Sequence, residues 1–262
     1  MPDTLPNWQL HQGTGPYLLL VHGFLSSSAQ WQLNLSALGR VCQPVTVDLF
    51  GHAGSPTPLT DGCYHPDYYV RCFEQIRDIL GAQQWLVLGY SLGAGLTIRY
   101  ALDYPERTMG HLFTNSTSAF ADPELLDTWR ASLPDTADRI DQQGRSALER
   151  IPVHPKHAWR LPKQIHDALL DDAARHQPAG ILKTLETTNL NASVRDRIKE
   201  NTRPACLLFG AKEKRFHPYR KFAQDNMPQL TIAELDAGHG MNMEAPEAFN
   251  SAASRFITRC AI

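Results

Sequence analysis

The chemistry in this chain starts with a serine between two glycines. Gly89-Tyr90-Ser91-Leu92-Gly93 reads G-x-S-x-G, at the end of the apolar run QWLVLGYS and ahead of a helical pattern over Leu92 to Tyr104. A strand-to-helix turn that tight leaves no room for side chains two places either side of the serine. The hydroxyl then projects above the strand end, and the next backbone N–H, that of Leu92, faces a developing oxyanion. Serine is a weak nucleophile until a base takes its proton, and the expected chain order is serine, acid, histidine. His239, in DAGHGMN directly after the last apolar run, fits the base; His217, after LLFGA, is a rival. A second oxyanion N–H belongs on the loop after the first parallel strand. VHGF lies there, with Phe24 as donor, Gly23 letting the backbone approach and His22 bracing the loop. The remaining histidines have plainer readings. His154, His157, His166 and His176 are surface or cap residues, and His11, His65 and His111 sit at strand or turn edges.

Positioning these groups takes a sheet. PYLLLVHG, QPVTVDLFG, QWLVLGYS and PACLLFGA are short apolar runs bounded by Gly, Pro or Asp, with MGHLFTNS and LTIAELDAGH as two further candidates. Their lack of polar alternation suits strands buried on both faces of a parallel sheet. Helical patterns over Ala29 to Leu38, Pro66 to Leu80, Leu92 to Tyr104 and Pro218 to Asn226, and a last one in PEAFNSAASRFITR, alternate with them. That alternation predicts an α/β fold, with helices on both faces of a mostly parallel sheet. From 118 to 202 no strand is legible and helical pieces follow one another, which predicts a helical cap inserted into a core of 1–117 and 203–262.

The chain has 262 residues, 42% of them hydrophobic, with a formal charge of −2, so nothing favours nucleic acid or an anionic membrane. Five scattered cysteines without a CxxC read as free thiols in a reducing compartment. The first residues show no basic stretch followed by an apolar core, and no apolar run reaches membrane-spanning length. The expectation is a cytoplasmic protein with a small-molecule substrate, a monomer or homodimer, needing no metal or organic cofactor.

LVHGFLSSSAQW, VDLFGHAGS, GYSLGAG, LLFGAKEKRF and AGHGMNMEAPEAF, in that order from Pro16 to Phe256, together resemble the α/β-hydrolase superfamily. The likeness runs nearest to the succinyl-hydroxy-cyclohexadiene-carboxylate synthase branch of menaquinone biosynthesis, through NSTSAF, RSALERIPVHP and GAKEKRFHPYRKFAQDNMP. Such a synthase eliminates pyruvate, using its Ser-His pair as a base and arginines to hold an acidic substrate. The resemblance implies a triad acid three residues after Gly210. There the family has aspartate and this chain has Glu213, which can also be one more charge in the run KEKR. In that case Asp236 or Asp122 would have to serve. The synthase branch also carries an arginine four residues past the nucleophile, where this chain has Gly95; Arg130 matches a second, cap arginine, and Lys183 approaches from the next helices. Losing one anchor favours a less acidic substrate. The resulting expectation is a serine hydrolase of esters or thioesters built on Ser91, His239 and Glu213, with Phe24 and Leu92 at the oxyanion. Arg130, Trp129, Trp159 and Tyr90, with Phe120, would line the substrate site. The alternatives are a lyase or C–C bond hydrolase using the same pair as base, and a non-catalytic small-molecule binder.

Overall fold

Six apolar runs, five of them buried and the last a partly exposed edge, become the parallel strands of a seven-stranded sheet in this computed structural model, which describes residues 2–261. In chain order the strands are β1 (Asn7–Leu10), β2 (Tyr17–Val21), β3 (Gln43–Asp48), β4 (Trp85–Gly89), β5 (Thr108–Thr114), β6 (Ala205–Gly210) and β7 (Leu230–Leu235). Their spatial order is β1-β3-β2-β4-β5-β6-β7, and only β1 runs antiparallel. β1 is the strand the sequence reading does not contain. It is four residues long, mostly exposed, and pairs on one side only, so it carries no apolar signal.

The strands lack polar alternation because each face of the sheet carries its own core. On one face Leu18, Leu20, Leu86, Leu88, Leu112 and Leu208 pack against α1 (Gln32–Leu38) and α10 (Pro246–Cys260). On the other, Leu19, Val21, Val45, Val47 and Val87 meet α2 (Pro66–Ile79) and α3 (Leu92–Asp103). Phe113, Leu207 and Phe209 extend that second face toward α8 (His217–Asn226). Successive side chains point to opposite faces, so a strand covered on both sides must be apolar throughout.

Between β5 and β6 the chain has helices and no strand: α4 (Pro123–Gln143), α5 (Arg145–Leu148), α6 (Lys163–Ala173) and α7 (Pro178–Lys183), the last running into a π-helical turn over Thr184–Asn189. The stretch PELLDTWRASLPDTADRIDQQ forms one 21-residue helix with Pro134 inside it. Asp122 caps that helix by accepting from the Leu125 N–H at 2.9 Å, and Gly144, at φ 54°, ends it. The short α9 (Met241–Glu244) follows the loop after β7.

Candidate active site

β4 lies at the centre of the sheet, and Ser91 sits directly beyond its carboxyl end, where the chain turns into α3. Ser91 has φ 51° and ψ −118°, a left-handed conformation costly for a non-glycine residue and kept only where the surroundings enforce it. The flanking glycines make the turn possible. A Cβ at Gly89 would lie 2.4 Å from Gly93 O, and one at Gly93 would lie 2.5 Å from Val21 O.

His239 reaches this serine from the loop after β7. Its Nε2 is 3.0 Å from Ser91 Oγ, and its Nδ1 is 2.8 Å from Glu213 Oε2, on the loop after β6. Three separate segments therefore converge at the carboxyl edge of one sheet. Asn115, beyond β5, holds the carboxylate: its Nδ2 donates to Glu213 Oε2 at 2.9 Å and to Gly210 O at 3.0 Å, while its Oδ1 accepts from the Gly210 N–H at 3.1 Å. Burial alone would raise the Glu213 pKa. The hydrogen bond and charge of His239, with Asn115 and Arg215, outweigh it and hold the carboxyl below its ordinary value. Arg215 Nε is 3.6 Å from Glu213 Oε1. The other acids considered from sequence are occupied elsewhere. Asp236 is exposed and pairs with Lys212 at 3.1 Å, and Asp122 caps α4. His217 bonds Ala211 O at 2.9 Å instead of facing the serine.

The backbone around Ser91 and the β2 loop leaves two donors over. Gly23, Leu25 and Ser26 donate their N–H groups to Gln30, His52 and Gly23 O. Those of Ser91, Gly93 and Ala94 go to Thr114, Tyr90 O and Ser91 O. Among the described residues the N–H groups of Phe24 and Leu92 find no acceptor. A pair of unspent donors on neighbouring backbone is able to hold an oxyanion.

Buried histidines hold the β2 loop. His22 Nδ1 donates to Gly23 O at 2.7 Å, and its Nε2 accepts from the Leu49 N–H at 2.9 Å, which is the bracing expected of it. His52 Nδ1 donates to Phe50 O at 3.0 Å and its Nε2 accepts from Leu25 N–H at 3.2 Å. His176, read from sequence as a surface or cap residue, is buried, and its Nδ1 accepts from the Ala53 N–H at 2.8 Å. Burial depresses the pKa of all three, so the column stays neutral. For His176 it falls to about 4.

A cavity of about 450 Å³ opens over the serine, lined in part by Phe24, Tyr90, Val153, Leu161, Arg215 and Met243. Tyr90 is buried and edge-on to His239, with ring centroids 5.3 Å apart. The other expected lining residues are not there. Arg130 pairs with Asp127 at 2.8 Å and faces a separate groove, because its turn of α4 looks outward. Trp159 is 73% exposed and stacks under the Arg160 guanidinium at 4.8 Å. Trp129 lines a neighbouring cavity, and Phe120 is buried in the core against Phe113. Lys183 pairs with Asp61. His154, read from sequence as a surface or cap residue, is buried in the cavity wall, and Glu244, which the sequence reading passed over, lines the same cavity. Glu244 Oε2 accepts from the Gly238 N–H at 2.7 Å and Oε1 from the Gly240 N–H at 3.2 Å, so one carboxylate grips the backbone on both sides of His239. The signal was present in AGHGMNME as an acid five residues past the histidine. Among the described residues no cluster of three or more His, Cys, Asp or Glu side chains is placed to hold a metal ion, and no helix is long and apolar enough to cross a membrane.

A central parallel sheet carrying a serine at a strained turn, with a histidine and an acid on later loops, defines a class. The chain belongs to the alpha/beta hydrolase fold family, whose model matches residues 16–246. It is 25% identical over 250 residues to a putative 2-succinyl-6-hydroxy-2,4-cyclohexadiene-1-carboxylate synthase of Bacillus subtilis, covering 92% of this chain and 90% of that one. It is 24% identical over 247 residues to a carboxylesterase of the same organism, covering 92% and 80%. The structure of MenH from S. aureus superposes with a TM-score of 0.84 at 19% identity, over 97% of this chain and 99% of that one, a likeness of fold. The position where the resemblance puts an arginine is closed in this chain. A Cβ on Gly95 would lie 2.6 Å from Ala192 O, because the segment after the π-helical turn packs onto α3 there.

Proposed function

We propose that the chain is a serine hydrolase of a carboxylic ester or thioester. Ser91 Oγ attacks the carbonyl carbon as His239 Nε2 takes the hydroxyl proton. The carbonyl oxygen, now an oxyanion, accepts from the N–H groups of Phe24 and Leu92. Collapse breaks the bond to the alcohol or thiol, which leaves with the proton His239 returns. A water deprotonated by the same nitrogen then frees the acid and regenerates the serine. Glu213 keeps the Nδ1 proton facing itself and stabilises the imidazolium. The helical stretch 118–202 serves as a cap that shapes the pocket.

The observation that carries this reading is the contact from Glu213 through His239 to Ser91, beside two unspent N–H groups. Membership of a hydrolase-fold family and similarity to a carboxylesterase support it. The test is a labelled fluorophosphonate. Modification of Ser91 that is lost in Ser91→Ala and in His239→Ala is expected. A folded protein that resists the probe would overturn the reading in favour of a non-catalytic binder. Similarity to the Bacillus synthase favours a second reading, in which the same pair acts as a base in a lyase or C–C bond-cleaving reaction. A panel of nitrophenyl esters, acyl thioesters and the menaquinone precursor separates the two, since faster elimination from the precursor than hydrolysis of any ester would displace the first. The closed position at Gly95 supports hydrolysis of a less acidic substrate.

A further inference from the structure

α4 is 21 residues long, yet Ile140 is its only buried residue. Helices of this kind are held in place by burying an apolar stripe. Here Trp129, Leu133, Thr136 and Ile140, spaced three and four apart on one face, line a cavity of about 680 Å³ instead. It is larger than the cavity over Ser91, and both volumes lie in the range ligand sites occupy. The two cavities share Pro152 as a wall. Phe24, which lines the serine cavity, packs against the same apolar cluster, Ile140 among it, as Ile151 and Leu185 do, and these three line the larger cavity.

We propose that this cavity receives the long apolar chain of the substrate while its carbonyl sits at Ser91. The inference deepens the serine-hydrolase reading and rests on it for the position of the reacting bond. The chain would pass Phe24 and Pro152 and lie along the inner face of α4, covering the stripe the protein leaves open. The charged side chains lining the space are Arg139 and Arg150, and neither is within ion-pair distance of a carboxylate among the described residues. A neutral or negatively ended chain is accepted there and a cationic one is not.

The test is kcat/KM on 4-nitrophenyl esters from acetate to dodecanoate. Each methylene that enters raises it by about fourfold, the equivalent of about 0.8 kcal/mol. Leu133→Trp, which puts an indole into the space, lowers the decanoate-to-acetate ratio by about tenfold or more, and Thr136→Phe acts in the same direction. Dodecanoic acid titrated into Ser91→Ala gives saturable binding that Ser91→Ala with Leu133→Trp loses. A flat chain-length profile with Ser91 still labelled by fluorophosphonate overturns the inference and leaves the hydrolase reading standing. Binding of dodecanoate to a protein that resists the probe overturns the hydrolase reading and keeps the apolar site. If Leu133→Trp loses its thermal transition, the wild-type profile and Thr136→Phe decide.

Discussion

Replacing Glu213 with glutamine tests the acid, and the outcome turns on Asn115. A neutral amide beside the imidazole usually does its damage by flipping, so that its NH₂ faces Nδ1 and forces the wrong tautomer, a loss of about 10⁴ in turnover. That flip is opposed here. Asn115 Nδ2 donates both to the acid position and to Gly210 O, while its Oδ1 accepts from the Gly210 N–H, so its own orientation is locked. The glutamine at 213 must then present its oxygen to Asn115, and that same oxygen is the one facing His239 Nδ1. The tautomer survives and only the charge is lost. A carboxylate about 4 Å from an imidazolium is worth about 4 kcal/mol at an effective dielectric near 20, which sets the ceiling at roughly 10³-fold. Exchanging a charge-assisted hydrogen bond for a neutral one costs about 1–2 kcal/mol, so the floor is roughly tenfold.

Steady-state kcat/KM on a nitrophenyl ester and the rate of fluorophosphonate labelling should therefore fall by about 10- to 10³-fold in Glu213→Gln. Glu213→Ala should fall further. Adding Asn115→Leu to Glu213→Gln should also cost more than Glu213→Gln alone, because the amide is then free to turn. Near-normal turnover in Glu213→Gln would remove Glu213 from the mechanism. Equal losses in Glu213→Gln and Glu213→Ala would refute the orienting role given to Asn115.

Glu244→Ala releases the Gly238 and Gly240 amides and lets the His239 loop drift. Misplacement on the order of 1 Å costs about 10²-fold in kcat, with KM little changed and Glu244→Gln between the two, so unchanged kcat would show that the loop holds itself. His111 offers a pH test away from the site. Burial pushes its pKa down to about 4, against which the Asn201 hydrogen bond, at 3.1 Å, acts only partly. The unfolded chain takes up this proton below about 6.5 and the folded chain does not until about 4, so the stability is complete above 6.5 and is lost as pH falls toward 4. The stability gap between wild type and His111→Gln, from denaturant unfolding, should thus narrow by about 2–3 kcal/mol between pH 7.5 and 4.5. A gap independent of pH would mean that His111 titrates normally.

Much of the candidate site was legible because its signals are local. The serine turn shows as a five-residue pattern, even though the β2 backbone at Val21 is part of what demands Gly93, and the histidine follows from its place after the last strand. Five of the six parallel strands were legible because burial on both faces forces continuous apolar runs, whereas the exposed edge strand Asn7–Leu10 leaves no such trace. The identity of the acid lay beyond local signals. Glu213 sits in a charged run, and only the fold brings Asn115 from another strand to turn its carboxylate toward His239. The substrate-facing residues were further out of reach, since which face of α4 looks inward depends on the segments packed beneath it. Its rotation sends Arg130 to an outer groove and Leu133 to a cavity, and Trp159 ends in solvent. Chain geometry over a few residues decides which chemistry is possible, and contacts between distant segments decide what that chemistry meets.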